Sequence, residues 1–311
     1  MMKLGRRVNS FLIRFGYKIA ILNRNSKRTF PEEQLLKALV ELNALYKTFV
    51  FNKELTGDEE SLELLSNSVY TKFGTGFYII NYLRESLDRE GDVWEFGVAQ
   101  GTLSALLAHE IKKTNKNLWL FDSFEGFPKP SEKDILIRDI MNVGSIGAYK
   151  GMLAFPEEEV KSRLSDINFP PERIRIVPGF IEKTIKGPEL PQAVCFAYVD
   201  FNFYEPIVIA LNFLDTVLQE GGVIIIDDYD DFLKGVKSAV DEFYDSRREK
   251  YSRKFPVKPA GKFCILCKNN WIFLNFYNQW SILKKDDYRR KALAIPERKR
   301  LSLQMHRCMA G

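Results

Sequence analysis

Between residues 92 and 267 short apolar runs alternate with amphipathic stretches of helical period, and this alternation limits the fold more than any other feature of the chain. The pattern predicts strands at 92–96, 118–122, 173–177, 193–200, 222–227 and 263–267. It predicts helices at 75–88, 102–113, 206–218 and 235–244, in the intervals between or before them. Runs that are apolar at both odd and even positions are buried on both faces of a sheet, and strands joined through helices pair in parallel. The expected fold class is therefore α/β: a mainly parallel, Rossmann-like sheet with helices on both faces, preceded by a helical N-terminal extension. A helix over 31–49, opened by Pro31-Glu-Glu, and a short helix within 50–68 belong to that extension. The chain divides into 1–64, a basic arm with helices; 65–270, the α/β domain; and 271–311, a basic C-terminal extension.

Charge is unevenly placed. The net charge is +5, yet residues 1–28 hold eight Lys or Arg and no acid, and residues 284–311 hold nine against three acids. The centre is consequently acidic, which argues against nucleic acid as a partner of the main body. Val8, Phe11, Leu12, Phe15 and Ile19 recur at helical spacing among the N-terminal basic residues. One reading of residues 1–28 is a peripheral contact with anionic membrane; the other is an arm packed on the domain or on a second subunit of a homo-oligomeric dimer. No run approaches the roughly 18 apolar residues of a membrane span, and no secretory leader is recognisable.

Cys264 and Cys267 have a metal-like spacing, but they lie in an apolar run, where an odd separation sends two side chains to opposite faces of a strand. With no second pair to complete four ligands they read as core cysteines, which suits a reducing, cytoplasmic setting. The two histidines, His109 and His306, read as core and tail residues. The interval 124–172 is too long for an ordinary connection. Beside the strand ends it is a lid in one reading and a passive surface excursion in the other.

Three constellations carry chemistry. Glu95-Phe96-Gly97-Val98-Ala99-Gln100-Gly101-Thr102 sits where the first core strand turns into a helix. Glycine there permits a tight turn and close approach of a ligand to the backbone, while Ala99 interrupts the dinucleotide pattern Gly-x-Gly-x-x-Gly. Glu95 adds a carboxylate suited to a cationic or amine-bearing ligand. Asp122, in Phe121-Asp122-Ser123-Phe124-Glu125-Gly126, ends the second strand, where a carboxylate accepts hydrogen bonds from ribose hydroxyls; a helix-capping Asp is the alternative. Finally, two apolar runs finish in acids, Asp200 and the pair Asp227-Asp228. Three carboxylates brought together repel one another, and a divalent cation such as Mg²⁺ resolves the repulsion with all-oxygen ligands. The alternative is that Asp227 and Asp228 cap the next loop.

Taken in order, Glu95 to Gly101, Phe121 to Gly126, Pro178-Gly179-Phe180, Val199-Asp200-Phe201-Asn202-Phe203-Tyr204-Glu205 and Gly221 to Tyr229 resemble the macrocin O-methyltransferase family. The resemblance covers about residues 65–245 and implies a class I methyltransferase fold that uses S-adenosylmethionine (SAM) and Mg²⁺ to methylate sugar hydroxyls. It implies that Glu95, Phe96, Gly97, Gly101, Thr102, Asp122, Ser123, Gly179 and Phe180 form the SAM site. It also implies that Asp200, Asp227 and Asp228 bind the metal, with Asp200 the catalytic group. Two departures stand out. Asn202 occupies the place of the second acid in the family's Asp-x-Asp-x-Tyr, and Pro256-Val-Lys-Pro-Ala-Gly261 replaces an Asp-Trp-Thr-Gly-like run. They point to an acceptor other than that of the antibiotic enzymes.

The expected reaction is transfer of the sulfonium methyl to an acceptor hydroxyl, with Asp200 or a neighbour such as Asp230 taking the proton. The acceptor is a small molecule or glycan. Two rival readings are a metal-dependent methyltransferase of phenols or catechols, and a SAM-binding scaffold without turnover in a polysaccharide assembly complex.

Overall fold

The computed structural model describes Leu42 and residues 59–68, 71–187, 190–257 and 260–269. The predicted helix over 31–49, apart from Leu42, and the basic segments 1–28 and 271–311 lie outside the described residues, as do His306 and Cys308. Among the described residues no helix is long and apolar enough to cross a membrane.

Among the described residues, seven strands form one sheet in the order β3-β2-β1-β4-β5-β7-β6. They are β1 (Asp92–Phe96), β2 (Leu118–Asp122), β3 (Ile174–Pro178), β4 (Val194–Val199), β5 (Leu218–Ile226), β6 (Tyr251–Lys254) and β7 (Cys264–Lys268). The first five are parallel, and β7 enters antiparallel between β5 and β6. This is the class I methyltransferase arrangement. The helices are α1 (Glu59–Ser66), α2 (Phe73–Ser86), α3 (Thr102–Ile111), α4 (Glu157–Asp166), the single turn α5 (Ile181–Thr184), α6 (Tyr204–Val217) and α7 (Lys234–Asp245).

Alternation along each strand divides the core in two. Val93, Leu118, Leu120, Phe196, Tyr198, Val223 and Ile225 face a layer built from α1 to α4, with Leu65, Ile79, Leu83, Leu107 and Leu164 wholly buried there. Trp94, Phe96, Phe121, Ala197, Val199, Ile224 and Ile226 face the opposite layer, with Leu211 and Leu214 of α6 and Val236 and Val240 of α7. Burying both faces of the sheet removes apolar area from water twice over, at roughly 25 cal/mol per Å². The cysteines follow the same parity: Cys264 packs in the second layer and Cys267 against the first.

Three elements depart from the sequence expectation. β5 begins at Leu218, not Gly222, because α6 runs straight into extended backbone and Leu218 pairs with Val194. β6 is an edge strand, Tyr251-Ser-Arg-Lys254, with one buried residue; its polar character protects the sheet edge and hides it from a hydrophobicity pattern. α4 presents only Val160 and Leu164 to the core, one turn apart, and carries three acids in its first turn, where they suit the helix dipole.

The sheet register also positions the site. Main-chain bonding continues one residue past the strand ends: Gly97 N donates to Phe121 O (2.9 Å), Gly179 N to Asp122 O (2.9 Å), Asp200 N to Phe96 O (2.7 Å) and Asp227 N to Val199 O (3.0 Å). Asp122, the last residue of β2, and Gly97, Gly179, Asp200 and Asp227, each just past a strand, therefore form one row along the carboxyl edge of the sheet.

Candidate active site

A cavity of about 320 Å³ opens above that row. Its lining includes Gly97, Ala99, Asp122, Ser123, Gly179, Phe180, Asp200, Phe201, Asn202, Asp227 and Asp228. Small-molecule sites in open α/β folds occupy this edge, and the size falls at the lower end of the usual range. The long interval after β2 supplies another wall through Phe127, Pro128, Arg138, Ile140, Leu153 and Phe155. It is fastened to the β5–α7 loop by a bridge between Leu136 and Leu233 and by the Arg138–Asp231 ion pair (2.9 Å).

The backbone around the cavity is strained. Ala99, Phe124, Asn202, Asp228 and Asp230 all have positive φ, between 48° and 61°. Such conformations persist where surrounding structure over-determines them, and they cluster at functional sites. At Gly97, with φ +83°, a Cβ would stand 2.4 Å from the Asp200 carbonyl oxygen, so only glycine lets the first turn and β4 approach this closely.

Asp122 holds the glycine turn from below. Its Oδ2 accepts the Val98 amide (2.7 Å) and the Ala99 amide (3.1 Å), and its Oδ1 accepts the Phe124 amide (2.8 Å). The carboxylate borders the cavity while fixing the loops after β1 and β2. Ser123 Oγ donates to Gly126 O (2.9 Å) and closes the local turn. Arg163 of α4 donates to Gln100 O (2.7 Å), bracing the glycine turn from the other side.

Glu95, Phe96, Gly101 and Thr102 do not line the cavity. Glu95 is 1% exposed and accepts the Ser104 hydroxyl of α3 at 2.6 Å. Burial pushes its carboxyl up to about 8, against the opposing Ser104 hydrogen bond and with a further upward push from Asp122. Phe96 stacks on Phe121 in the second core layer, with centroids 4.6 Å apart. Gly101 begins α3 in the left-handed conformation, close against Val160. His109 stands in α3 beside Glu60, 3.5 Å away, and is not part of the cavity lining. Asp230 is exposed and also does not line it.

Asp200, Asp227 and Asp228 share one wall of the cavity. Burial, followed by the charges of Asp227, Asp228 and Glu95, raises Asp200 well above the carboxylate range, with Lys72 opposing. Burial and Asp227 raise Asp228 to about 7. Tyr198 donates to Asp227 Oδ2 at 2.6 Å, while Asp227 Oδ1 is buried with no hydrogen-bond partner. Asn202 donates to Asp200 Oδ1 at 3.1 Å. An unpartnered carboxylate oxygen among mutually repelling acids matches the hard, oxygen-seeking chemistry of a divalent cation. Among the described residues, however, no group of three or more His, Cys, Asp or Glu side chains is arranged to hold a metal ion. The three acids meet in one wall without forming a ligand cage.

Lys72, Arg138 and the aromatic wall residues were not foreseen from sequence. Lys72 immediately precedes α2, and Arg138 lies within the long interval after β2, so neither belongs to a motif at a strand end. Lys72 lines the cavity and pairs with Asp231 at 3.3 Å.

Residues 83–252, over half of the chain, match the family described as macrocin-O-methyltransferase (TylF). The chain is 27% identical over 205 residues to 8-demethyl-8-(2,3-dimethoxy-alpha-L-rhamnosyl)-tetracenomycin-C 4'-O-methyltransferase of Streptomyces olivaceus, covering 63% of this chain and 77% of that protein. It is 29% identical over 159 residues to demethyldecarbamoylnovobiocin O-methyltransferase of Streptomyces niveus, covering 49% of this chain and 58% of that one. The O-methyltransferase NovP has the same fold, with a TM-score of 0.52 and 19% identity over 77% of this chain and all of NovP. The chain thus belongs to the macrocin-O-methyltransferase (TylF) family of SAM-dependent O-methyltransferases.

Proposed function

We propose that this protein transfers the methyl group of SAM to a hydroxyl of a sugar or glycosylated acceptor, assisted by a divalent cation such as Mg²⁺. The observation that carries the proposal is the meeting, in one cavity, of the glycine turn after β1 with Asp200, Asp227 and Asp228 after β4 and β5. The sugar acceptor is inferred from a relative that is named for methylating a rhamnosyl-bearing tetracenomycin. In this reading residues 65–270 are the catalytic domain, and 1–64 and 271–311 flank it.

Gly97, Asp122, Ser123, Gly179 and Phe180 would hold the donor, the turn admitting it close to the backbone and Asp122 keeping the turn in shape. Asp200, Asp227 and Asp228 would hold the cation, which when bound acts as a Lewis acid that lowers the pKa of the acceptor hydroxyl. Asp200, which lines the cavity beside Asp227 and Asp228, takes the hydroxyl proton. The acceptor oxygen then bonds to the methyl carbon as the carbon–sulfur bond breaks. The electron pair stays on sulfur, giving neutral S-adenosylhomocysteine. Asn202 steadies Asp200 through its hydrogen bond, and the aromatic wall of Phe127, Phe155 and Phe201 excludes water while the acceptor is oriented.

The test is methyl transfer from labelled SAM to a panel of sugars, nucleotide sugars and glycosides, with Mg²⁺ or with EDTA. Formation of S-adenosylhomocysteine and a methylated sugar, suppressed by EDTA, is the expected result. Turnover confined to catechols would replace the acceptor, and turnover indifferent to EDTA would remove the cation. SAM binding with no turnover on any acceptor would favour a scaffold.

A further inference from the structure

Lys72 is an unusual place for a charge. Its side chain is 26% exposed, and the residue is the N-cap of α2, where the positive end of the helix dipole disfavours a cation. Burial and dipole both argue for losing the proton. Nevertheless its ammonium is held charged above the ordinary lysine value, because Asp227, Asp228 and Asp231 together outweigh its desolvation.

Asp231 alone does not account for this. Its carboxylate is already served by Arg138 at 2.9 Å and by Lys262 at 3.5 Å, so a third cation is more than its charge requires. Lys72 meets Asp231 at 3.3 Å, and it lines the same cavity as Asp200, Asp227 and Asp228. Arg138 lines the cavity as well, but its side chain is 54% exposed, against 26% for Lys72. Of these two cations in the cavity lining, the Lys72 ammonium is thus the more deeply set.

We propose that Lys72 is the resident counter-ion of the acidic wall and that it competes electrostatically with a divalent cation for Asp200, Asp227 and Asp228, thereby setting how tightly that cation is held. The proposal rests on the reading of these acids as cation ligands. It goes beyond that reading by giving a role to a residue outside the acid motifs. Two cations drawn to the same carboxylates repel each other, and partial burial strengthens that repulsion. Removing the ammonium therefore raises the cation affinity of the wall, whereas a residue that merely tethers α2 to Asp231 would leave it unchanged or lower.

The experiment is a titration of the full-length protein with Mn²⁺, free ion being counted by electron paramagnetic resonance, for wild type, Lys72→Met, Lys72→Gln and Lys72→Arg. The expected result is Mn²⁺ bound at least about tenfold more tightly by Lys72→Met and Lys72→Gln, and within about threefold of wild type by Lys72→Arg. Two neutral variants guard against one that fails to fold, and Asp231 keeps Arg138 and Lys262 in each. Equal or weaker Mn²⁺ binding by the neutral variants, with wild type still binding, overturns the counter-ion role and spares the cation site. Absence of stoichiometric binding in every variant overturns the cation site itself, and this inference with it.

Discussion

Tyr198 and Asp227 are joined by a 2.6 Å hydrogen bond from the tyrosine hydroxyl to Oδ2, linking the interior of β4 to the acid just past β5. The other oxygen, Oδ1, has no hydrogen-bond partner. Tyr198→Phe therefore leaves a buried carboxylate with neither oxygen satisfied by a side chain. A loss of about 1–3 kcal/mol in stability is expected, read from urea unfolding without ligands. Unchanged stability would mean that the carboxylate is served in another way.

Gly97→Ala tests the closeness of the glycine turn to β4. The added Cβ meets the Asp200 carbonyl oxygen at 2.4 Å on a backbone with φ +83°, so both sterics and conformation oppose it. Expected are a lower melting temperature and at least tenfold weaker SAM binding by calorimetry. Gly101→Ala, whose Cβ meets Val160 at 3.0 Å, is expected to cost less.

Asp122→Ala removes the acceptor of three backbone amides at once. Hydrogen bonds to a charged acceptor contribute roughly 1.5–3 kcal/mol each, but the freed amides recover part of that from water. A net loss of about 2–4 kcal/mol is expected, together with weaker SAM binding; Asp122→Asn, which keeps one acceptor oxygen, should lie between. A variant with full stability but lost SAM affinity would point to direct ligand contact as the main role of this residue.

The pH dependence expected of Glu95 has a definite sign. Its carboxyl sits at about 8 in the folded protein against an ordinary 4.5, so the native state holds the proton more tightly than the unfolded chain. Stability is therefore lost as pH rises from about 4.5 through about 8, and the full penalty is present above that. Glu95→Gln retains an acceptor for Ser104 and has no proton to lose. In SAM-free protein, its melting temperature relative to wild type should climb between pH 5 and pH 9. A constant difference across that range would contradict the assignment.

Much of the architecture was legible because burial on both faces leaves a simple signature. Val93 to Phe96, Leu118 to Phe121 and Val223 to Ile226 are apolar or nearly so at every position, and Asp92–Phe96 and Leu118–Asp122 end where the sequence predicted. The row of residues at the carboxyl edge was legible for the same reason: each ends or follows a strand that announces itself. What escaped depends on contacts between distant segments. β6 is polar at an edge, and α4 buries two residues, so neither carries a strong period. Glu95 looked like a ligand carboxylate because it adjoins the glycine turn. Strand parity turns it toward Ser104 of α3. Lys72 and Arg138 reach the cavity from before α2 and from the interval after β2, and no local pattern foretells where such segments come to rest.

The wall contributed by residues 127–155 is attached to the sheet edge, not woven into it. Its Phe127, Ile140, Leu153 and Phe155 take part in no strand pairing, whereas Gly97, Asp122 and Asp200 are held by the main-chain ladder. On the proposed reading, this joins in one cavity two walls that differ in how far the sheet constrains them. The methyl-donor half is tied to the survival of the fold, and the acceptor half is free to drift toward new hydroxyls. Exchanging that interval between relatives is accordingly the most direct way to retarget the chemistry while keeping the donor site intact.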